Sequence, residues 1–395
     1  MTTYYRMTAK LLSPLIVQKK RQSSSPQTLK YLPGSTLRGA LAASYLRGGK
    51  SVEDEAFHTL FLDNPVHFCN LLPGAAPDKA SKILPLTTIS CKREPGFDKH
   101  GVFDTLAATA ASRIGNVPPD KTLWKCPHST CGEDMKPFSG FWNENFTAPV
   151  RFDPDVRVQR HTGIDRTTGT VANSMFFMTQ SISDYYKLPD QDEDLYSRQY
   201  LSGKLFLDEK QLGYLTPLIE NSVFAGADRT RGFGEMKLSL TPTDESEHPV
   251  RSLENIEAWN SVFTAKLSEL FSSKDNALEQ GVYFSVKLES HAVLVDRFLR
   301  PVSEIEAFRH PEILPITKIT ATETIRGWQA AMGLAKPDDI GLSMGSVFLF
   351  RYTGNTIDPL KQLLKPLLIN GIGLRKEQGF GQLSICDPIH IKERI

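Results

Sequence analysis

The segment RGFGEMKL at residues 231–238 recurs as QGFGQL at residues 378–383, each time after a stretch rich in glycine and basic residues. The offset from Gly232 to Gly379 is 147 residues. Glycine at such positions allows the backbone to adopt conformations, or to approach other groups, that a side chain would forbid. A repeated segment of this kind indicates that the chain contains two copies of one structural unit.

A second repeat lies earlier in each copy. GSTLRGALAA at residues 34–43 recurs as TETIRGWQAA at residues 322–331, with an offset of 288 residues. Because the two offsets differ by about 141 residues, the first copy is expected to carry an insertion of that length, at about residues 50–195. The predicted domains are therefore residues 1–245, with the insertion, and residues 246–395.

Each copy shows the same order of predicted elements, with strands indicated by apolar alternation and helices by apolar residues at helical spacing. The first copy has an apolar run at 4–12, a helix at 36–47, a strand at 204–207, a helix at 211–224 and a strand at 235–240. The second has a strand at 282–288, a helix at 324–332, a strand at 346–350, a helix at 359–368 and a strand at 382–386. This order predicts an α+β fold of two tandem ferredoxin-like (RRM-like) domains.

Composition limits the class of protein. The chain has 395 residues, 46 Lys and Arg against 45 Asp and Glu, and a hydrophobic fraction of 40%. These values exclude a disordered or low-complexity chain. No stretch approaches the roughly 20 apolar residues that a membrane span requires. Since the first residues also lack an apolar signal core, we expect a cytoplasmic protein without membrane contact.

The near-neutral total conceals a basic amino-terminal segment. The first fifty residues contain nine Lys and Arg residues and no Asp or Glu. Such a surface suits contacts with phosphates. The alternative is a solvated face that is balanced in space by the acidic run at 190–194.

The two glycine segments, GADRTRGFG at 226–234 and GIGLRKEQGFG at 371–381, are predicted to connect a helix to a strand. They do not fit the phosphate-binding fingerprints in which a strand leads into a helix. Their glycines and basic residues suit a polyanion. A helix end followed by a tight turn, with Phe233 and Phe380 in the core, explains them equally well.

Five cysteines are too few and too unevenly placed for a disulfide framework. Four of them fall in the insertion, where Cys91, His100, Cys126 and Cys131 would form a closed Cys₃His zinc site of the structural type. His128 and Cys69 are competing ligands, and scattered buried thiols are the alternative. A bound zinc ion would stabilise an insertion that has a limited apolar core.

The sequence resembles the RAMP superfamily of CRISPR-associated proteins. The resemblance rests on LPGSTLRG at 32–39 and on the two glycine loops. Two more specific segments are RVQRHTGIDRTTGT at 157–170 and the stretch from Ser90 to Asp104. These last two are similar to the RAMP subunit of type III-D systems. The resemblance implies a subunit that binds the 5′ handle of a CRISPR RNA (crRNA), beside a large polymerase-like subunit and backbone RAMP subunits, with target RNA reached through the guide duplex.

The resemblance also bears on catalysis. RAMP subunits that cut target RNA carry an aspartate in the loop before the first helix, whereas residues 13–32 of this chain contain no carboxylate. We therefore predict a noncatalytic subunit. Two alternatives stay open: an endoribonuclease that processes precursor crRNA with His161 as general acid or base, and a zinc-stabilised protein scaffold.

The candidate RNA-binding residues fall into four groups. They comprise the basic loop and first helix start (Lys19, Lys20, Arg21, Lys30, Gly34, Ser35, Thr36, Arg38), the hairpin expected around Asp165 (Arg157, Arg160, His161, Arg166), the first glycine loop (Gly226, Arg229, Arg231, Gly232, Gly234) and the second glycine loop (Gly371, Gly373, Arg375, Lys376, Gly379, Gly381).

Overall fold

The structure is a computed structural model that describes residues 3–19, 27–74, 76–77, 79–115, 124–143, 149–187, 196–271, 278–329 and 332–392. Within these residues the chain is a mixed α/β protein with small antiparallel sheets and six α-helices. The helices are α1 (Gly34–Arg47), α2 (Glu55–Phe61), α3 (Leu106–Gly115), α4 (Glu209–Leu218), α5 (Ile256–Leu270) and α6 (Asp358–Asn370). None of these helices has the length and hydropathy needed to cross a bilayer.

The strands of the amino-terminal half of the chain are β1 (Thr3–Leu11), β2 (Leu72–Gly74), β3 (Lys82–Ile83), β4 (Thr88–Cys91), β5 (Val102–Asp104), β6 (Met135–Pro137), β7 (Phe141–Asn143), β8 (Val150–Arg151), β9 (Val156–Ile164), β10 (Val171–Ile182), β11 (Tyr185–Lys187) and β12 (Tyr196–Arg198). Those of the remainder are β13 (Tyr200–Leu207), β14 (Val223–Phe224), β15 (Glu235–Pro242), β16 (Val282–Leu288), β17 (Ile313–Ile319), β18 (Thr322–Ile325), β19 (Trp328–Gln329), β20 (Leu334–Ala335), β21 (Asp339–Leu342), β22 (Val347–Tyr352) and β23 (Leu383–Ile385).

The chain divides into two compact units, each built from three separate segments. The first contains Met1–Ser81, Phe152–Thr243 and Arg326–Pro337. The second contains Lys82–Arg151, Asp244–Ile325 and Asp338–Ile395. Residues 82–151 therefore belong to the second unit, although the segments on both sides of them belong to the first.

The first unit is organised around β1. Its main sheet has the order β14-β15-β1-β13-β2, and Met7, Ala9 and Leu11 of β1 are fully buried. Their alternation along the strand directs one face into the core, where they meet Leu37 and Leu41 of α1. The cluster also includes residues of α2 and α4, so that helices cover the sheet on this face.

The second unit has a four-stranded sheet of order β17-β22-β16-β23. Strands β16 and β22 are buried almost throughout, which agrees with their mostly apolar sequences. Helix α5 contributes Trp259, Phe263 and Leu267 to this core, and α3 contributes Leu106 and Ala110.

The two units repeat one strand register. After the glycine segments, Met236 of β15 faces Leu11 of β1 and Leu383 of β23 faces Leu288 of β16, so the offsets are 147 and 277 residues. On the other side of the first strand, Tyr5 faces Leu205 of β13 and Val282 faces Tyr352 of β22, with the same two offsets. The 147-residue offset of the glycine segments is therefore also an offset of paired strands.

The other offset, 288 residues, does not relate equivalent elements, because residues 34–43 lie in helix α1 whereas residues 322–325 form a strand. The predicted helix at 324–332 does not form, because Thr322–Ile325 is a strand that pairs with Asp339–Leu342, and Trp328–Gln329 is another. β-Branched Thr322, Thr324 and Ile325 favour a strand over a helix. The helical cover of the second sheet is supplied instead by α3, α5 and α6.

The second sheet also holds a buried charged group. The Nζ atom of Lys287, near the end of β16, lies 2.5 Å from a carboxylate oxygen of Asp387 and 3.0 Å from one of Glu289, and donates to the carbonyl of Ile83 at 3.2 Å. Burial opposes ionisation of Lys287, but the two carboxylates outweigh it and raise its pKa. Breaking a buried pair of this type by removing one partner is costly.

The glycine loops make testable steric demands. A Cβ atom on Gly381, whose φ is +74°, would lie 1.8 Å from the carbonyl oxygen of Ile372. We expect Gly381→Ala to lower the free energy of unfolding by about 2 kcal/mol or more, through backbone strain and displacement of the loop. Gly213→Ala in helix α4, where no atom lies within 4 Å, should be neutral or stabilising. Denaturant unfolding followed by circular dichroism checks both, and equal stabilities would contradict the steric account.

Candidate nucleic-acid interface and metal site

A long hairpin, formed by β9 and β10, projects from the first unit. The turn is closed by Asp165, whose carboxylate accepts hydrogen bonds from the N–H groups of Thr167 (2.7 Å) and Thr168 (3.3 Å). These bonds lower the pKa of Asp165. The predicted cations Arg157, Arg160 and Arg166 lie on this hairpin, and all three are exposed.

Aromatic rings accompany these cations. The ring of His161 on β9 stacks on that of Phe177 on β10, with centroids 4.7 Å apart and planes 14° apart. Phe177 is 44% exposed, and the guanidinium of Arg231 lies 5.8 Å from its ring centroid. The Nε2 atom of His161 is buried and finds no hydrogen-bond partner among the described residues. The hairpin and the first glycine loop thus meet at one aromatic stack.

A shallow cleft lies beside this stack. Its walls are the segment after β1 (Ile16, Gln18, Gln27), the end of the hairpin (Phe177, Gln180) and the first glycine loop (Arg231). Two hydrogen bonds from backbone N–H groups hold the three walls together. Ala227 N–H donates to the carbonyl of Ile16 (2.9 Å), and Thr28 N–H donates to the side-chain oxygen of Gln180 (3.0 Å).

The first glycine loop is closed by left-handed backbone at both ends. Asp228 has φ +54° and Gly232 has φ +86°, and between them Arg229–Arg231 forms a short 3₁₀ turn. The N–H of Gly234 donates to the carbonyl of Pro14 at 2.9 Å. Arg229 and Arg231 are exposed, and besides its contact with the Phe177 ring Arg231 makes a long contact of 3.8 Å with Asp228. The loop therefore presents both guanidinium groups to solvent.

The second glycine loop has the same backbone but engages its arginine internally. Arg375 has φ +60°, a 3₁₀ turn follows at Lys376–Gln378, and Gly381 N–H donates to the carbonyl of His291 at 2.8 Å. The Arg375 side chain donates to Asp339 at 2.7 Å and to Gln378 at 3.0 Å. Only 17% of its side chain is exposed. The remaining predicted members of this loop are Gly371, Gly373, Lys376 and Gly379.

The described basic residues of the amino-terminal segment do not form one patch. Lys19 is exposed at the edge of the cleft, where its N–H donates to Gln27, whereas Lys20 and Arg21 lie outside the described residues. Lys30 pairs with Asp153 at 3.2 Å. Arg38 turns inward and donates to the carbonyl of Phe61 at 2.5 Å.

At the start of α1, formed by Gly34, Ser35 and Thr36, one backbone N–H group is already hydrogen-bonded within the chain. The N–H of Gly34 donates to the side-chain oxygen of Asn70 at 2.9 Å. Of the amino-terminal candidates within the described residues, Lys19 is thus the one at the cleft.

The four predicted metal ligands converge in the second unit. The donor atoms of Cys91, His100, Cys126 and Cys131 all lie within 4.8 Å of one another. The sulfurs of Cys91 and Cys131 are 3.6 Å apart, and that of Cys126 is 3.3 Å from Nδ1 of His100. Ligands about 2.3 Å from a tetrahedral zinc ion place two sulfurs about 3.8 Å apart, so the set fits this ion.

Local structure brings these ligands together. Cys91 ends β4, and the loop that carries the other two cysteines is closed by the N–H of Cys126, which donates to Glu133 at 2.7 Å. Burial opposes ionisation of the Cys91 thiol, but hydrogen bonds from the backbone at Glu94 and from His100 outweigh it and lower its pKa to about 6. Burial raises the pKa of Cys126 to about 11.

Neither competing ligand belongs to the cluster of four donors. Cys69 is buried in the core of the first unit, where burial raises its pKa to about 12. The ring of His128 stacks on that of His100, with centroids 4.4 Å apart, and hydrogen-bonds to Thr130. The structure can therefore supply a Cys₃His set without either residue.

The chain matches the model of a known protein family. The family model of the RAMP superfamily matches residues 8–237, more than half of the sequence. The chain belongs to the RAMP superfamily. No curated protein matches it.

Among solved structures, this RAMP protein is similar to chains of two cryo-EM structures of type III-B Cmr-beta. In the structure bound to cognate target RNA and AMPPnP, the identity is 14% and the TM-score 0.38, over 87% of this chain and 86% of that one. In the structure bound to cognate target RNA, the values are 13% and 0.39, over 90% and 89%.

Sequence reasoning missed the aromatic part of the RAMP protein's cleft. Phe177 was not singled out, because an aromatic residue in a strand is more often part of a core, and its exposure depends on how far the hairpin projects. Gln18, Gln27 and Gln180 were missed as well, since no spacing in the sequence connects them.

The metal site can be tested by its content. We expect about one zinc ion per chain of the native protein and a near-complete loss of it in Cys126→Ser/Cys131→Ser, because two of four ligands are removed. Cys69→Ala, in the other unit, should retain zinc. Elemental analysis of the purified proteins by mass spectrometry measures this. Chelation should lower the melting temperature of the native chain and of Cys69→Ala, but not that of the double serine variant, which holds no zinc. Equal zinc in the three proteins would contradict the assignment.

Proposed function

We propose that this RAMP protein is a noncatalytic crRNA-binding subunit of a type III CRISPR effector complex, of subtype III-D, and that it holds the 5′ handle of the crRNA. Its partners would be the large polymerase-like subunit and the backbone RAMP subunits. Membership of the RAMP superfamily and the resemblance of residues 90–104 and 157–170 support this proposal. In its finer form it takes the two repeated units as ferredoxin-like (RRM-like) domains.

The observation that carries the proposal is the cleft of the first unit. The guanidinium of Arg231 lies beside the aromatic stack of His161 on Phe177. Two further exposed cations adjoin the cleft wall: Lys19, whose N–H bonds to Gln27, and Arg229, two residues before Arg231. Cations suit phosphates, and an exposed ring suits an unstacked base. Single-stranded RNA offers both groups at adjacent positions, which makes it the ligand that this cleft fits best.

The hairpin extends the same surface. Strand β9 has nine residues and so is about 30 Å long. Along the hairpin Arg157, Arg160 and Arg166 are exposed together with apolar side chains such as Val158 (55%) and Phe176 (57%). Apolar side chains exposed beside cations are typical of a surface that binds a partner, and a nucleic-acid duplex can contact both kinds of group. We propose that the hairpin contacts the guide duplex.

Two features support a role without catalysis. The loop at 13–32 lacks a carboxylate, and Lys19 stands within it. His161, the alternative acid or base, has its Nε2 atom buried and its ring stacked on Phe177. A general base must reach the proton that it removes, and a buried nitrogen is poorly placed for this.

We further propose that the Cys₃His cluster holds a structural zinc ion. The set has four protein ligands, which leaves no open position of the kind that catalytic zinc requires. The ion would neutralise the buried thiolates and fix the loop around residues 126–134 to β4.

Purification of the tagged protein from its native host at low salt, followed by sequencing of the bound RNA, tests the role directly. We expect mature crRNAs with a common 5′ handle, together with other RAMP subunits. Precursor crRNA added to the purified protein should stay intact. Its cleavage would favour the endoribonuclease, and an absence of crRNA would overturn both functions.

The cations of the cleft can be tested separately. Lys19→Ala/Arg229→Ala/Arg231→Ala should weaken binding of crRNA by roughly tenfold or more and reduce the slope of log K against log salt by about 2, since each phosphate contact on a single strand contributes about 0.7. Fluorescence anisotropy over a salt series measures both quantities. The charge-matched control Arg47→Ala/Lys50→Ala/Lys210→Ala, at exposed positions of the same unit in and beside α1 and α4, should change neither. An unchanged slope in the cleft variant would favour the scaffold alternative.

A further inference from the structure

A tight loop in the second unit carries cations and an exposed aromatic ring that the proposed function does not use. Asp296 closes it: the N–H of Asp296 donates to the carbonyl of Arg300 (3.0 Å), and the N–H of Leu299 donates to that of Asp296 (2.9 Å). The Asp296 carboxylate accepts from the N–H groups of Phe298 (2.8 Å) and Arg300 (3.0 Å). Three residues, Arg297, Phe298 and Leu299, form the tip.

This tip loop is the counterpart of the basic loop of the first unit. In the first unit, Lys19 N–H donates to Gln27 (2.9 Å), as Asp296 N–H does to Arg300. Position 296 is 277 residues after position 19, which is the offset of strands β1 and β16. The same loop thus follows the first strand of each repeat, and it is four residues shorter in the second.

The backbone around both loops is equivalent as well. Leu29 N–H donates to the carbonyl of Val17 at 2.8 Å, and Val302 N–H donates to that of Leu294 at 3.0 Å. Further towards the strand, each glycine loop donates to this segment, at Ile16 in one unit and at Val293 in the other. The repeat therefore gives the tip loop the same relation to its glycine loop that the basic loop has to its own.

The chemistry of the tip is aromatic and cationic. Phe298 is 62% exposed, and the guanidinium carbons of Arg297 and Arg300 lie 4.7 Å and 5.1 Å from its ring centroid. Asp296 binds the Nε and Nη2 atoms of Arg300, at 2.8 Å and 2.7 Å, which fixes this guanidinium beside the ring. The side chain of Arg300 is still 71% exposed.

We propose that the tip loop is a second contact site for single-stranded RNA, in which a base stacks on Phe298 while Arg297 and Arg300 contact phosphates. The inference rests on the proposed RNA-binding function and extends it to the second repeat. Stacking on an exposed ring flanked by guanidinium groups is tolerant of base identity. A purely apolar protein partner would leave two desolvated arginines beside the ring, which disfavours that occupant.

Leu299 supplies an internal control. It has φ +61°, a left-handed conformation that is unfavourable for a residue other than glycine, and it is 75% exposed. Asparagine tolerates this conformation, so Leu299→Asn should preserve the loop while it removes the other apolar side chain of the tip.

The test measures binding of a fluorescent oligouridylate of roughly 20 nucleotides to the full chain by anisotropy. We expect Phe298→Leu, which keeps an apolar side chain without the aromatic face, to weaken binding about tenfold, and Phe298→Trp to restore it. Arg297→Ala should reduce the salt slope by about 0.7, the value for one phosphate contact. Leu299→Asn should bind within about twofold of the native protein, because no stacking or charge is lost.

The outcomes separate this inference from the proposed function. Unchanged affinity and slope in Phe298→Leu and Arg297→Ala, with weakened binding in the Lys19/Arg229/Arg231 variant, would overturn the tip site and leave the function in place. Absence of RNA binding by the native chain would overturn both. If Phe298→Leu and Arg297→Ala bind RNA as the native chain does, and Leu299→Asn loses other subunits on purification from the host, the tip binds a protein. The inference is then wrong.

Discussion

The arrangement of both units depends on two glycines that pass within contact distance of a backbone carbonyl. A Cβ atom on Gly234 would lie 1.9 Å from the oxygen of Ala225, and one on Gly381 would lie 1.8 Å from that of Ile372. Since no side chain fits, each loop can fold back on itself and donate an N–H to the segment that leaves the first strand. This pair of main-chain contacts fixes where the loop, the strand end and the following segment lie, and the candidate RNA surfaces are built from these three parts.

One backbone serves two different electrostatic settings. In the first unit, the loop arginines project into solvent beside an aromatic stack. In the second, Arg375 is held by Asp339 and Gln378, so the exposed cations come from the preceding segment instead, at Arg297 and Arg300. A duplicated scaffold can therefore keep its hydrogen bonds while the side chains that meet a ligand move from one loop to another.

The sequence predicted best what local patterns determine. Strand β16 spans the predicted residues 282–288, and helices α1 and α6 extend their predictions by at most two residues at either end. The four metal ligands converge as expected, because their residue types leave few other roles. The helix predicted at 324–332 does not form, because the β-branched residues Thr322, Thr324 and Ile325 favour a strand there. The contact of Arg231 with Phe177 could not be predicted, as it joins two hairpins far apart in the chain.

The interleaving of the two units has a consequence for biosynthesis. Helix α3 belongs to the second unit, yet the core residues that it contacts on α5, such as Phe263, are more than 140 positions later in the chain. At a translation rate of 5–20 residues per second, the apolar face of α3 waits on the order of ten seconds after it leaves the ribosome before its partners are made. The segment at 82–151 is thus a nascent chain exposed to chaperones and proteases. Early metal capture by its cysteines would shorten that exposure by ordering the segment before the rest of its unit exists.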